Sequence, residues 1–154
     1  MIKRSIASVL ISALLCACNG ETKKNDGGGL SGSLVGTWQL LSGTLIEKGD
    51  TSVTDYTKNT SFIKIINGSH FAFLKHSVNK DSAANYDSGG GRYTLVDSSY
   101  TEHLEYCNER EWEGHDFTFT VSLKNDTLVQ RGIEKIEKAG IDRLNIEKYV
   151  RLKN

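Results

Sequence analysis

Proline is absent from these 154 residues, methionine occurs once and cysteine three times. No long helical pattern appears either, so nothing breaks up a chain of short strands, and an all-β architecture is the natural reading. Net charge is also missing. The 19 basic side chains are matched by 19 acidic ones, which removes the electrostatic case for binding nucleic acid or an anionic membrane surface. Long hydrophobic runs are lacking too. The apolar stretch from Ser5 to Leu15 follows the basic segment Met1-Ile2-Lys3-Arg4 and is too short to span a bilayer. It reads as an export signal and not as a membrane anchor.

That segment ends in Leu15-Cys16-Ala17-Cys18, which resembles the lipobox of bacterial lipoproteins: Leu three residues before the cut, Ala just before it, Cys just after. The resemblance implies that residues 1–17 are removed and that Cys18 becomes the lipidated first residue. Each buried methylene of its acyl groups then contributes about 0.8 kcal/mol to membrane attachment. Cys16 is a poor rival, because Leu15 would occupy the small position before the cut. With Cys16 removed and Cys18 acylated, only Cys107 remains, and the mature chain has no internal disulfide despite an oxidising compartment. Removing residues 1–17 from 154 leaves 137, enough for one domain with its own core. The loss of Lys3 and Arg4 leaves 17 basic against 19 acidic groups. Residues 18–33 are polar and glycine-rich and read as a flexible tether. Lys23-Lys24 offset the nearby acids Glu21 and Asp26, so the expected location is the cell envelope, at the periplasmic face of the outer membrane.

The folded domain is expected over 34–154. Its centre is the stretch from Arg92 to Ile133, where 117–123 alternates apolar and polar without interruption, as a strand with one buried face does. Expected strands cover 36–46, 52–57, 61–67, 70–76, 91–96, 99–106, 116–123, 127–133 and 143–152. Asn67-Gly68 predicts a type I′ hairpin, and Asp97-Ser98 and Asn125-Asp126 predict similar tight turns. The segments 77–90 and 107–114 are longer connections, and 134–141 is a helical turn or a charged loop.

Gly36-Thr37-Trp38 at the start of the first strand resembles the Gly-x-Trp of the calycins, the lipocalin and fatty-acid-binding-protein group. With Gly89-Gly90-Gly91-Arg92-Tyr93-Thr94-Leu95, residues 100–106, Asp126-Thr127-Leu128 and 147–151, residues 34–154 look like the lipocalin-like domains of small bacterial lipoproteins. That resemblance implies an antiparallel up-and-down β-barrel of about eight to ten strands in the cell envelope, and it implies little about activity.

Register carries the reading toward a site. A two-residue turn at Asp97-Ser98 sets Leu95 opposite Tyr100 and Tyr93 opposite Glu102. One face then holds Tyr93, Leu95, Tyr100, Glu102, Leu104 and Tyr106, and the face of Phe119, Val121 and Leu123 includes Leu128 and Gln130. A carboxylate and an amide thus point into an aromatic interior, where Glu102 requires a partner, a raised pKa or water. On the last strand two readings stand. In one, the apolar set Leu144, Ile146, Val150 and Leu152 faces inward and Glu147 and Arg151 are solvated. In the other, Tyr149 and Arg151 enter the interior and meet Glu102 or an anionic head-group. Fatty-acid-binding proteins place Arg-x-Tyr there, and this chain has the reverse order.

The candidate ligand-binding residues are therefore Trp38, Tyr93, Tyr100, Glu102, Tyr106, Trp112, Gln130, Tyr149 and Arg151, with Trp112 as a lid. No metal or cofactor is expected. His103 and Glu105 share a strand face that points outward, and His70 and His76 lack a third ligand at a recognisable spacing. The run Glu109-Arg110-Glu111-Trp112-Glu113 has no nucleophile motif beside it, no Gly-x-Ser-x-Gly occurs, and no helix follows either glycine run. An enzyme is not expected. Two functions remain: a tethered barrel that binds a small apolar or amphiphilic molecule, and a filled barrel whose loops at 77–90 and 107–114 dock another envelope protein.

Overall fold

A computed structural model describes residues 30–79 and 86–153. The expected signal segment, Cys18 and most of the expected tether lie outside them. A short helix, α1 (Leu30–Leu34), precedes nine strands: β1 (Gly36–Glu47), β2 (Asp50–Asp55), β3 (Thr60–Ile66), β4 (His70–Ser77), β5 (Asp87–Val96), β6 (Ser99–Cys107), β7 (Asp116–Lys124), β8 (Thr127–Ile136) and β9 (Ile141–Arg151). Each strand overlaps one expected from sequence. All neighbours are antiparallel, in the order β2-β1-β3-β4-β5-β6-β7-β8-β9, and β1 also pairs with β9. The sheet therefore closes on itself as an antiparallel up-and-down barrel, which leaves no free edge along the wall. One edge of β1 is shared: residues 36–39 pair with β3 and residues 42–47 with β2. Eight strands make the barrel, and the exposed β2 extends its rim.

The barrel has a sealed end and an open one. At the sealed end α1 lies across the bottom, with Leu34 buried and Leu30 packed on the core, so ordered packing begins four residues upstream of the expected start at Leu34. Trp38 is fully buried, and its Nε1 donates to the Leu34 carbonyl at 2.9 Å. The Arg151 guanidinium stacks on the Trp38 ring at 4.1 Å and donates to the carbonyls of Val35 and Ser33. A Cβ on Gly36 would lie 2.3 Å from Arg151 Nη1. The Gly-x-Trp pattern thus has a steric reason: the glycine leaves room for the arginine over the tryptophan.

Two hairpins follow the expected register, with Tyr93 opposite Glu102 and Val121 opposite Gln130. Asp97 and Asn125 take positive φ in these turns, at 53° and 55°, a conformation their short polar side chains tolerate. The Asn67-Gly68 turn is different. Neither residue has positive φ, and the Asn67 side-chain oxygen accepts from the backbone of Ser69 and His70 at 2.9 and 2.8 Å. Asparagine acts there as a side-chain cap of the turn.

A bulge corrects one assignment. Between β5 and β6 the pairing shifts, with Gly90 opposite Tyr106 but Gly91 opposite Leu104, so Glu105 is an extra residue. One added residue reverses the facing of its successors along the strand. Tyr106, expected inside, is 69% exposed, and Cys107 turns to the interior. The glycines belong to this bulge: a Cβ on Gly91 would lie 2.0 Å from the His103 carbonyl oxygen.

Candidate functional site

β3 supplies the residue that organises the interior. Phe62, Lys64 and Ile66 alternate on its inner face, and Lys64 is only 3% exposed. Its Nζ lies 2.7 Å from Glu102 Oε1 on β6, donates to Gln130 Oε1 on β8 at 3.0 Å, and stands 3.8 Å from Glu147 Oε2 on β9. Tyr149 donates its hydroxyl to Glu147 Oε2 at 2.7 Å, and its ring faces the ammonium at 5.3 Å. Four strands of one closed sheet thus converge on one cation.

Burial costs a charge several kcal/mol unless it is paired, and the directions of the pKa shifts follow. Burial pushes the Glu102 carboxyl above its ordinary value, and Lys64 only partly offsets this. Burial alone would depress Lys64, yet Glu102 and Glu147 together hold its ammonium above the usual lysine value. Burial and the nearby Glu147 raise the Tyr149 phenol as well. The network therefore holds a protonated amine and a neutral phenol.

Above this floor lies a cavity of about 250 Å³. Phe62, Phe73, Leu104, Phe117 and Phe119 form apolar walls around it, and Trp112 stands at the mouth. Trp112 closes the 3-10 turn Arg110–Trp112, packs on Phe117 at 5.5 Å and carries the Arg143 guanidinium at 5.3 Å from its ring. Arg143 also donates to Glu134 at 2.7 Å, and Asn145 donates to the other oxygen of that carboxylate at 2.7 Å. Cys107 sits half-buried on the wall, and burial raises its thiol pKa, which disfavours the thiolate form.

The nine candidates from sequence separate into four groups. Glu102, Gln130, Tyr149 and Trp112 line the cavity. Tyr100 is buried and Tyr93 half-buried; they pack ring on ring at 5.1 Å toward the sealed end, and Tyr93 donates to the Asn67 carbonyl at 2.8 Å. Among the described residues the Tyr100 hydroxyl makes no ordinary hydrogen bond, and burial, with the nearby Glu102 carboxylate, raises its pKa. Trp38 and Arg151 seal the bottom and do not line the cavity, and Tyr106 faces solvent.

The partner of Glu102 is therefore Lys64 and not Arg151. The last strand turns its odd set inward, because Tyr149 pairs with inward Leu128 and Glu147 with inward Gln130. Its aliphatic set, expected inside in the plainer reading, lies on the outer face: Leu144, Ile146 and Val150 are half-buried and Leu152, just past the strand, is exposed. Sequence reasoning missed Lys64 because a lysine amid isoleucines reads as a surface position. The available signal was parity, since Lys64 shares a face with Phe62 and Ile66. His103 and Glu105 face outward and engage Asp116 and Arg92 at 2.8 and 2.6 Å.

No family model and no curated protein matches the chain. Among solved structures it is similar to a lipocalin-like protein from Bacteroides uniformis, with 18% sequence identity, coverage of 79% of this chain and 100% of that one, and a TM-score of 0.49. The fold assignment rests on the closed strand ladder and not on this likeness.

Proposed function

We propose that this chain is a lipid-anchored lipoprotein of the bacterial cell envelope whose barrel binds a small amphiphilic molecule. The supporting observation is the cavity of about 250 Å³, apolar on its walls, polar on its floor, and closed below by the Trp38–Arg151 stack. Few convergent polar groups in an otherwise apolar hollow are what small-ligand sites share. In this reading Cys18 carries the acyl groups, residues 18–29 are the tether, and the outer membrane's periplasmic face is the location. The first described element, α1, lies at the sealed end, opposite the mouth. The reading is of a binder and not a catalyst. Lys64 is held protonated, so its amine is a poor nucleophile, and the Cys107 thiol is held neutral.

A second reading, an envelope-protein docking module, draws on the outer surface of β4, β5 and β6, where Leu74, Tyr86 and Tyr106 are exposed beside the three glycines. A filled interior, the premise of that reading, is not what the barrel contains.

Native mass spectrometry of full-length protein purified from its host tests the first reading. The expected spectrum shows the acyl mass at Cys18 and a second, non-covalent small-molecule mass; the bare acylated chain alone would overturn the carrier reading. Reloading the stripped protein should change the emission of Trp112 at the mouth, and Trp112→Phe should abolish that change while Trp38, sealed below, stays silent.

A further inference from the structure

We propose that the cavity selects a small organic cation, an amine or quaternary ammonium attached to a compact apolar body. This rests on the carrier reading above and names its ligand class. Three cationic side chains line the cavity: Lys64, Lys75 and Arg143. Five carboxylates face the same space: Asp87, Glu102, Glu109, Glu134 and Glu147. Three against five gives a formal charge of −2 around the cavity, equal to the whole excess of the mature chain's 19 acidic over 17 basic groups. A cleft of one sign with low-dielectric walls focuses its field on the ligand.

Each cation is already engaged. Lys64 holds Glu102, Gln130 and Glu147; Arg143 lies at 2.7 Å from Glu134; Lys75 lies at 3.5 Å from Asp87. An anionic head-group would have to take Lys64 from Glu102 and leave a buried carboxylate unpaired, which is the costly arrangement. The negative side has capacity to spare. Glu147 stands 3.8 Å from the ammonium and accepts one phenol, and among the described residues Glu109 at the mouth has no cationic partner. Phe62, Phe73, Phe117 and Trp112 present ring faces and edges to the same volume. Aromatic walls beside carboxylates attract an ammonium through ring quadrupoles as well as charge. The cavity is smaller than the roughly 300–1,000 Å³ usual for drug-sized ligands, so the body of the ligand is short.

Isothermal titration calorimetry on the full-length chain in non-ionic detergent tests this with three probes of matched shape: phenethylamine, 2-phenylethanol and 3-phenylpropionate. The amine should bind about tenfold more tightly than the alcohol and more tightly still than the carboxylate, with the preference narrowing as salt rises. Glu109→Gln, at an exposed position, should weaken the amine roughly threefold through lost mouth charge and leave the alcohol unchanged. Glu147→Gln should weaken the amine more strongly. Alcohol or carboxylate binding as tightly as the amine would overturn the cation assignment and leave the carrier reading standing. No binding by any of the three would remove both.

Discussion

Lys64 shows how a single side chain sets the chemistry of a barrel interior. It is buried against two carboxylates, an amide and a phenol from three other strands, and its removal leaves Glu102 and Glu147 without a cation. Breaking a buried pair from one side typically costs about 3–5 kcal/mol, so Lys64→Met should lose about that much stability at pH 7. The deficit should shrink toward pH 5. The Glu102 pKa is already above its ordinary value, and without Lys64 it rises further, so mild acid neutralises the orphaned charge in the folded state. Urea unfolding at both pH values measures this, and a deficit that does not change with pH would refute it. Adding Glu102→Gln should restore part of the loss. At this scale Glu102 and Gln130 were readable from hairpin register alone. Lys64 was not singled out: it shares a face with Phe62 and Ile66, but only the closed sheet brings β3 across to Glu102.

Among the elements, β5 and β6 depart most from ideal strands. The bulge at Glu105 reverses Tyr106 and Cys107, and it works because β5 offers Gly91 where β6 presses closest. Gly91→Ala would set a methyl 2.0 Å from a backbone oxygen, and neither strand can yield without breaking ladder bonds. The expected cost is about 1–3 kcal/mol, read by thermal unfolding. A variant as stable as the parent would mean that the close approach relaxes freely. Nine strands and two of the tight turns were legible, because period-2 alternation and turn residues are local signals. The bulge was not. An inserted residue leaves the composition of a strand unchanged, and it is visible only once the partner strand supplies the count.

The whole molecule should lose stability in alkali. In the folded barrel Lys64, Tyr100 and Tyr149 all hold their protons above their ordinary pKa values near 10–10.5, while the unfolded chain releases them there. The folded state then binds more protons than the unfolded one, so stability, present in full below about pH 9.5, falls as pH rises beyond 10. Each group contributes up to about 1.4 kcal/mol per pH unit. Urea titrations from pH 8 to 11 should show this slope, and Lys64→Met should reduce it; a flat profile would mean that these groups titrate as they do in water. By itself the sequence determined the strand positions, the antiparallel barrel class, two of the tight hairpins and the inward side of Glu102 and Gln130, because alternation and turn chemistry act between near neighbours in the chain. Tertiary structure alone decided the rest: that Lys64 meets Glu102, that Trp38 and Arg151 form the seal, that Tyr106 faces water, and that a negative hollow remains at the centre. Those outcomes depend on where distant strands meet once β1 pairs with β9, and no local stretch of sequence contains that distance.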